Sequence, residues 1–160
     1  VPDNLTFTPD GSRVLVAIEG ELSGTAADPV ADKSQGGVAI IDLSGGFTAP
    51  TVTFANFTAF DSQVNALVTA GVRIFSRVDD VNGTSTRVYA APSVDCGPEY
   101  VAVSPDGRKA MVTLQEANAV ALLDIPTATF TSVVPLGEKD FSTLLADFSD
   151  RDGAEATQMI

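Results

Sequence analysis

The sequence predicts an all-β chain, and three observations support this fold class. Ala, Val and Thr are the most frequent of its 160 residues, and Gly and Pro are scattered as turn markers between short apolar runs. No long stretch has the apolar spacing of a helix. Finally, the pattern Pro-x-x-apolar-x-apolar-x-Pro-Asp-Gly occurs twice, at residues 2–11 and again at 98–107.

This repeat extends well beyond the two Pro-Asp-Gly turns. The match continues from residues 12–19 into 108–115 and, after an insertion in the first copy, from 38–43 into 120–125. Each copy contains four short strand patterns joined by turns. Four antiparallel strands in a repeat of roughly 40 residues predict a blade of a β-propeller, so the chain is expected to be a fragment with about two blades. A β-sandwich is the structural alternative, although sandwiches do not usually repeat at this resolution.

The strands can be placed in chain order. The first copy has strands at 4–8, 13–18, 38–43 and 51–57, and the second at 99–104, 109–114, 119–124 and 129–135. Apolar residues that recur in register in both copies are expected to be buried. These positions are Leu5, Phe7, Val14, Val16, Val38, Ile40, Val101, Val103, Met111, Val120 and Leu122.

The whole chain is expected to be part of one propeller domain. The first blade copy spans 1–57, a connecting segment spans 58–95, the second copy spans 96–137, and a loop insertion starts at 138–160. In the connection, Val64, Leu67 and Val68 have helical spacing and predict a short helix within 61–70. Residues 71–75 and 86–91 are two candidate strands around a polar loop.

The excess of acidic residues restricts the kinds of partner that the chain can bind. The formal net charge is -12 and the pI is about 4.1, which disfavours nucleic acid and anionic membranes and favours cations or basic proteins. Acidity that merely keeps an extracellular protein soluble is the alternative. No apolar run approaches the roughly 20 residues needed to cross a bilayer, so no membrane insertion is expected in this segment.

Catalytic motifs are absent from the sequence. Without histidine, neither a Ser-His-Asp nor a Cys-His arrangement can form within this segment. Cys96 is the only cysteine, so it is either a buried apolar residue or the partner of a cysteine outside the segment. We therefore expect no catalytic or cofactor-binding residue here.

Acidic residues are the main candidates for a site. With antiparallel strands, the connections into strand one and between strands two and three emerge on one rim, opposite the Pro-Asp-Gly turns. Oxygen-only donors there suit Ca²⁺. Solvated loop carboxylates without an ion are the alternative. The rim acids are Asp3, Glu19, Glu21, Asp28, Asp32, Asp95, Glu99, Glu116 and Asp140, and the candidate metal ligands among them are Glu19, Glu21, Glu99 and Glu116.

Three sequons offer candidate glycosylation sites in a secreted protein. They begin at Asn4, Asn56 and Asn82. Asn82 lies in a polar loop and is the first candidate, Asn56 is the second, and Asn4 is expected to be too enclosed within a strand.

Several segments together resemble the choice-of-anchor I family, which includes mesenchyme-specific cell-surface glycoproteins. They are Pro2-Asp-Asn-Leu-Thr-Phe-Thr-Pro-Asp-Gly11, Glu19-Gly-Glu21, Gly71-Val-Arg-Ile-Phe75, Pro98-Glu-Tyr100, Val112-Thr-Leu-Gln-Glu116, Pro135-Leu-Gly137 and Ser149-Asp-Arg-Asp-Gly153. The resemblance implies a propeller of about seven blades, of which this chain supplies roughly two.

The function expected from these features is that of an extracellular structural or interaction module of a cell-surface, matrix or appendage glycoprotein. Its partners would be the remaining blades of the same propeller and extracellular matrix or surface proteins, and its acidic rim would bind Ca²⁺. The alternative is a calcium-dependent phosphoesterase of propeller form, similar to a phosphatase or phytase, in which clustered carboxylates hold metal ions and activate water.

Overall fold

A computed structural model describes residues 2–20, 35–75, 77–78 and 88–140. In these ranges the chain forms two four-stranded antiparallel sheets, each with its strands in chain order. Sheet 1 contains β1 (Pro2–Phe7), β2 (Arg13–Ile18), β3 (Gly37–Asp42) and β4 (Thr51–Asn56). The predicted all-β fragment with two four-stranded blades is confirmed.

A connecting segment follows sheet 1. It contains a 3-10 helix at Thr58–Gln63, helix α1 at Val64–Ala70, the short paired strands β5 (Arg77–Val78) and β6 (Val88–Tyr89), and helix α2 at Pro92–Asp95. Sheet 2 then contains β7 (Val101–Val103), β8 (Lys109–Leu114), β9 (Ala119–Asp124) and β10 (Thr129–Pro135). Among the described residues, every helix is too short to cross a bilayer.

The two Pro-Asp-Gly turns have the same geometry, as the repeat predicts. Gly11 and Gly107 both adopt φ 70°, a left-handed conformation that favours glycine. The hydroxyl of Thr8 donates a 2.6 Å hydrogen bond to the Asp10 carboxylate, and the hydroxyl of Ser104 donates one of the same length to Asp106. Each turn therefore closes through the same local hydrogen bonds.

The connecting segment differs in part from the prediction. The predicted helix is present, although its first turn is a 3-10 helix that starts at Thr58. Residues 71–75, predicted as a strand, are irregular, because Gly71 ends α1 in a left-handed conformation with φ 107°. Arg73 N then donates a single 2.9 Å hydrogen bond to the Ala117 carbonyl instead of joining a ladder. Of the predicted strand at 86–91, the structure describes residues 88–91, and within these Val88–Tyr89 form a strand.

The two sheets pack face to face through faces that are not equivalent in the repeat. Leu15 of β2 is fully buried between the sheets, whereas its counterpart 96 positions later, Met111, lies on the opposite face of sheet 2 and is exposed. A sandwich of two equivalent sheets related by a two-fold axis would bury the same face of each. Here sheet 1 buries one face and sheet 2 buries the face that is not equivalent to it in the repeat. This head-to-tail stacking is consistent with neighbouring blades of a propeller.

This stacking explains which predictions of burial were wrong. Val38, Ile40 and Val101 are buried as expected. Four predicted core residues are exposed, namely Leu5 at 61%, Phe7 at 53%, Met111 at 47% and Leu122 at 43%. The other four predicted positions, Val14, Val16, Val103 and Val120, are half-buried. The buried positions beside them are Leu15, Ala17, Ala110, Val112, Ala121 and Leu123. Because both faces of each sheet are apolar, alternation alone does not identify the packed face.

The contact between the sheets includes an aromatic stack and a side-chain hydrogen bond. The rings of Phe57 and Phe130 stack with centroids 4.1 Å apart and an interplanar angle of 14°. At the inner strands, Val101 N donates a 3.1 Å hydrogen bond to the carboxamide oxygen of Asn4. Cys96 is buried in the same core, and burial raises the pKa of its thiol to about 12. Of the two expectations for this cysteine, burial is the one observed.

Candidate functional site

Three carboxylates converge where the inner strands of the two sheets meet. Asp3 lies in β1, Glu19 directly follows β2, and Glu99 precedes β7. One carboxylate oxygen from each lies within 4.8 Å of the other two. We call Asp3, Glu19 and Glu99 the acidic cluster.

The topology explains why these three residues meet. β1 and β7 are neighbouring inner strands that start at the same rim, and β2 runs antiparallel to β1 and so returns to that rim. The pairing of β1 with β2 is irregular between Pro2 and Asn4, so Asp3 sits at a bulge-like position. Bulges commonly re-aim a side chain relative to its regular neighbours. Asp3 was recognised as a rim residue from the sequence but was not among the candidate ligands.

Two more acids lie beside the cluster. Glu116, in the turn between β8 and β9, and Asp95, in α2, line a cavity of about 110 Å³ together with Glu19 and the ring of Phe75. Gly97 also lines this cavity. A Cβ at Gly97 would lie 3.0 Å from Glu19 Cγ and 3.8 Å from Glu116 Oε2. A glycine at this position therefore lets two carboxylates approach the same stretch of backbone.

The electrostatics of the cluster are those of crowded like charges. Burial raises the pKa of Glu99, and the charges of Asp3, Glu116 and Glu19 raise it further. The carboxyl group of Glu99 thus holds its proton to a higher pH than an ordinary glutamate does. A cation among these oxygens would offset the repulsion that raises this pKa.

Three of the four candidate metal ligands, Glu19, Glu99 and Glu116, are brought to the same region by the structure. Glu21, the fourth, lies outside the described residues, as do Asp28 and Asp32. Asp140 is exposed. The role of these carboxylates as ligands stays a prediction.

The opposite rim carries the turns. The Pro-Asp-Gly turns of the two copies touch there, because a Cβ on Gly107 would lie 3.6 Å from Pro9 Cδ. Asp42 and Asp124 occupy equivalent turns after β3 and β9. Asp42 accepts a 2.8 Å hydrogen bond from Ser44 N, and Asp124 accepts a 3.1 Å hydrogen bond from Thr127 N. Their pKa values are lowered chiefly by the hydrogen bonds from Ser44 and Thr127, respectively. Both acids therefore cap the turns that follow their strands.

The candidate glycosylation sites are in different environments. Asn56 ends the outermost strand of sheet 1 and is half-buried. Its carboxamide oxygen accepts hydrogen bonds from Thr58 N at 3.1 Å and from the Thr58 hydroxyl at 2.7 Å. Asn82, the first candidate, lies outside the described residues. Asn4 is half-buried, like Asn56, and its carboxamide oxygen accepts the hydrogen bond from Val101 N.

Comparison with known proteins adds a family. A solved chain titled Kuenenia stuttgartiensis hydrazine synthase is similar to this chain at a TM-score of 0.47 and 15% sequence identity. The similarity covers 84% of this chain but only 36% of that one. No curated protein sequence matches this chain. The family model of the choice-of-anchor I domain matches residues 1–160. The chain therefore belongs to the choice-of-anchor I domain family and is a propeller-like, surface-associated domain.

Proposed function

We propose that this chain is an extracellular structural and interaction module of a cell-surface, matrix or appendage glycoprotein, and that its acidic cluster binds Ca²⁺. Membership in the choice-of-anchor I family supports the surface association. The observation that carries the calcium proposal is the convergence of the Asp3, Glu19 and Glu99 carboxylates.

The spacing of these oxygens suits one calcium ion. Ca²⁺ binds oxygens at about 2.4 Å, so two oxygens on one ion lie at most about 4.8 Å apart. The oxygens of the cluster fall within this limit. Three carboxylates supply three to about six of the 6–8 oxygens that Ca²⁺ takes, and Glu116 and water would supply the others. Purely oxygen donors favour this hard cation over a transition metal.

The charge of the protein supports the same proposal. Burial and the neighbouring carboxylates raise the pKa of Glu99, so the deprotonated cluster is under electrostatic strain without a counterion. A bound divalent cation relieves this strain and stabilises the ends of three strand regions from both sheets. Calcium would therefore act structurally, at the inner edge of the contact between the two sheets.

The proposed partners follow from the net charge of the protein and from the apolar faces of its two sheets. The net charge of -12 favours matrix or surface proteins with basic patches. Further sheets of the same repeat would cover the apolar faces that the two sheets leave free. Glycans at Asn56 and Asn82 would add to the solubility of the module.

Titration calorimetry with CaCl₂ tests the calcium proposal. We expect one Ca²⁺ per chain, with a Kd of about 10⁻⁴–10⁻³ M as in other extracellular modules, and much weaker binding of Mg²⁺. Glu19→Gln and Glu99→Gln should each weaken the affinity at least about tenfold. Glu138→Gln is the matched control, because it removes the same charge from an exposed glutamate outside the cluster.

Two outcomes would contradict this proposal. If the wild type binds no calcium, or if Glu138→Gln weakens binding as much as Glu99→Gln, the cluster is ordinary solvated surface. A further assay with p-nitrophenyl phosphate distinguishes the structural module from the alternative, a calcium-dependent phosphoesterase. Calcium-dependent hydrolysis that Glu19→Gln abolishes would favour a phosphoesterase over a structural module.

A further inference from the structure

A polar cleft opens between the two sheets at the rim opposite the acidic cluster, and its volume is about 160 Å³. The turn between β9 and β10 of sheet 2, residues 125–128, forms one wall. Sheet 1 forms the other wall with four polar side chains, those of Arg13, Asp42, Thr51 and Thr53. We call this space the rim cleft. Because both walls belong to the two sheets of this chain, no further sheet of the repeat is needed to complete it.

The pairing of the strands explains why the four polar side chains share one wall. Arg13 of β2 pairs with Asp42 of β3, and Asp42 pairs with Thr51 of β4. Thr53 pairs with Ile40, whose side chain is buried between the sheets. Side chains that are paired across neighbouring strands lie on the same face. The polar wall therefore belongs to the packed face of sheet 1, at the end of that face nearest the rim.

This wall offers hydrogen-bond donors and acceptors side by side. Arg13 Nε donates a 3.1 Å hydrogen bond to Asp42 Oδ2, which leaves the two Nη groups of the guanidinium as further donors. Within the described part of the chain, these Nη groups and the hydroxyls of Thr51 and Thr53 form no hydrogen bond with another residue. A hydroxyl both donates and accepts. The rim cleft therefore holds several polar groups that a ligand can use.

The charges of the rim cleft favour a neutral ligand. Arg13 and Asp42 place one positive and one negative charge 3.1 Å apart, so they largely offset each other. A free anion would meet Asp42 and the net charge of -12, and a free cation would meet Arg13. Ile40 and Pro126 add apolar surface to the lining. A neutral group with several hydroxyls and an apolar C–H face matches these features.

The repeat reproduces the polar wall in sheet 2. There Lys109 of β8 pairs with Asp124 of β9, and Asp124 pairs with Thr129 of β10. A basic residue, an aspartate and a threonine thus occupy the same corner of both sheets, although the strands around them are largely apolar. The polar corner is a feature of the repeat, and a further sheet packed on sheet 2 would complete a second cleft of the same kind.

We propose that the rim cleft binds a neutral pyranose ring of a saccharide. The ring hydroxyls would accept hydrogen bonds from Arg13 Nη and exchange them with Thr51 and Thr53, and the C–H face of the ring would lie on Pro126. Sites for drug-sized ligands have volumes of roughly 300–1,000 Å³, so a cleft of about 160 Å³ suits a single ring. The inference goes beyond the proposed function and does not depend on calcium, because the acidic cluster lies at the other rim.

An NMR titration of the nitrogen-labelled chain in EDTA tests the proposal. The probes are methyl α-D-glucopyranoside, methyl α-D-galactopyranoside and methyl α-D-mannopyranoside. We expect at least one of them to shift the backbone amide signals of Thr51, Thr53 and Thr127 and the Nε–H signal of Arg13. The expected Kd is about 10⁻³ M, as for a small ligand held by few contacts. Because EDTA removes calcium, this result is independent of the calcium proposal.

Three variants test which groups hold the ring. Thr53→Val removes a hydroxyl with little change in shape and should weaken the affinity about threefold to tenfold. Arg13→Lys keeps the positive charge but loses the planar guanidinium, and should weaken it at least about tenfold. Thr6→Val is the matched control, because Thr6 pairs with Leu15 on the same face of sheet 1 but lies outside the rim cleft. Circular dichroism checks folding, and Thr51→Val replaces Thr53→Val if that variant is unfolded.

Four outcomes would overturn the proposal. The first is that none of the three glycosides shifts any signal at about ten times the expected Kd. The second is that the shifts avoid the residues of the rim cleft. The third is that Thr6→Val weakens binding as much as Thr53→Val does. The fourth concerns sodium sulfate, the anion probe: if sulfate binds the rim cleft more tightly than the glycosides, the cleft is an anion site.

Discussion

Phe57 links the two sheets, and its replacement by alanine should be strongly destabilising. Its side chain is 0% exposed, and its ring stacks on Phe130 at a centroid distance of 4.1 Å. Truncation of a buried phenylalanine to alanine costs about 3–5 kcal/mol, from lost apolar burial and the cavity that remains. The stack itself accounts for about 0.5–1.5 kcal/mol of this cost. We therefore expect Phe57→Ala to lower the free energy of unfolding by about 3–5 kcal/mol.

Urea denaturation followed by far-ultraviolet circular dichroism measures this loss. All variants are compared at one fixed protein concentration, because self-association would otherwise shift the midpoint. Phe47→Ala is the matched control, and we expect a change within about 0.5 kcal/mol for this exposed side chain. A double-mutant cycle with Phe130→Ala should give a coupling of about 0.5–1.5 kcal/mol.

The result that would refute this reasoning is a small effect. If Phe57→Ala costs no more than Phe47→Ala, the ring is not enclosed between the sheets, and the head-to-tail packing described above is wrong. If Phe57→Ala is costly but its coupling with Phe130 is zero, the burial is correct while the stack contributes nothing of its own.

Two further predictions concern pH. Burial and neighbouring acids raise the pKa of Glu99 in the folded protein above its ordinary value of 4.5. Without calcium, the wild type should therefore become more stable as the pH falls through the raised pKa of the folded protein towards 4.5, because the folded state then binds a proton that the unfolded state does not. Glu99→Gln should accordingly stabilise the calcium-free protein at pH 7 but not near pH 4, and thermal melts with the same difference at both pH values would contradict this. Hydrogen bonds from the Thr8 side chain, and then from Ser12, lower the pKa of Asp10 from 3.8 to about 2, so its stabilising contribution is present above pH 3.8 and is lost as the pH falls towards 2. Asp10→Asn should therefore cost stability at pH 6 but progressively less as the pH approaches 2, and a cost that does not depend on pH would show that the charge of Asp10 is not the cause.

The strands and turns of the two blades could be predicted from the sequence because their causes are local. A Pro-Asp-Gly turn needs a glycine with positive φ, and both Gly11 and Gly107 adopt it. The hydroxyl and carboxylate that close each turn lie two positions apart in the chain. A repeat of these local features therefore also identified the strands on either side of each turn.

The connecting segment was predicted less well because its conformation depends on contacts with sheet 2. Residues 71–75 have the composition of a strand, but Arg73 meets the turn at Ala117 and finds only one backbone partner there. The fully local part of this segment, the helix at Val64–Ala70, was predicted from its spacing.

The acidic cluster was predicted in part. Antiparallel topology alone places Glu19 and Glu99 at one rim, and the structure brings them together. That Asp3 joins them depends on the approach of β1 to β7 and on the irregular pairing at the start of β1, neither of which is encoded in a short motif.

Which face of each sheet is buried was decided by the tertiary structure. The sequence by itself determined that the strands are apolar on both faces, as Leu15 beside Val16 and Val112 beside Met111 show. It did not determine that sheet 1 buries Leu15 while sheet 2 exposes Met111 at the corresponding position. The physical reason is that hydrophobic burial has no direction of its own, so with two apolar faces available, the stacking of one sheet on the other selects the face that loses contact with water.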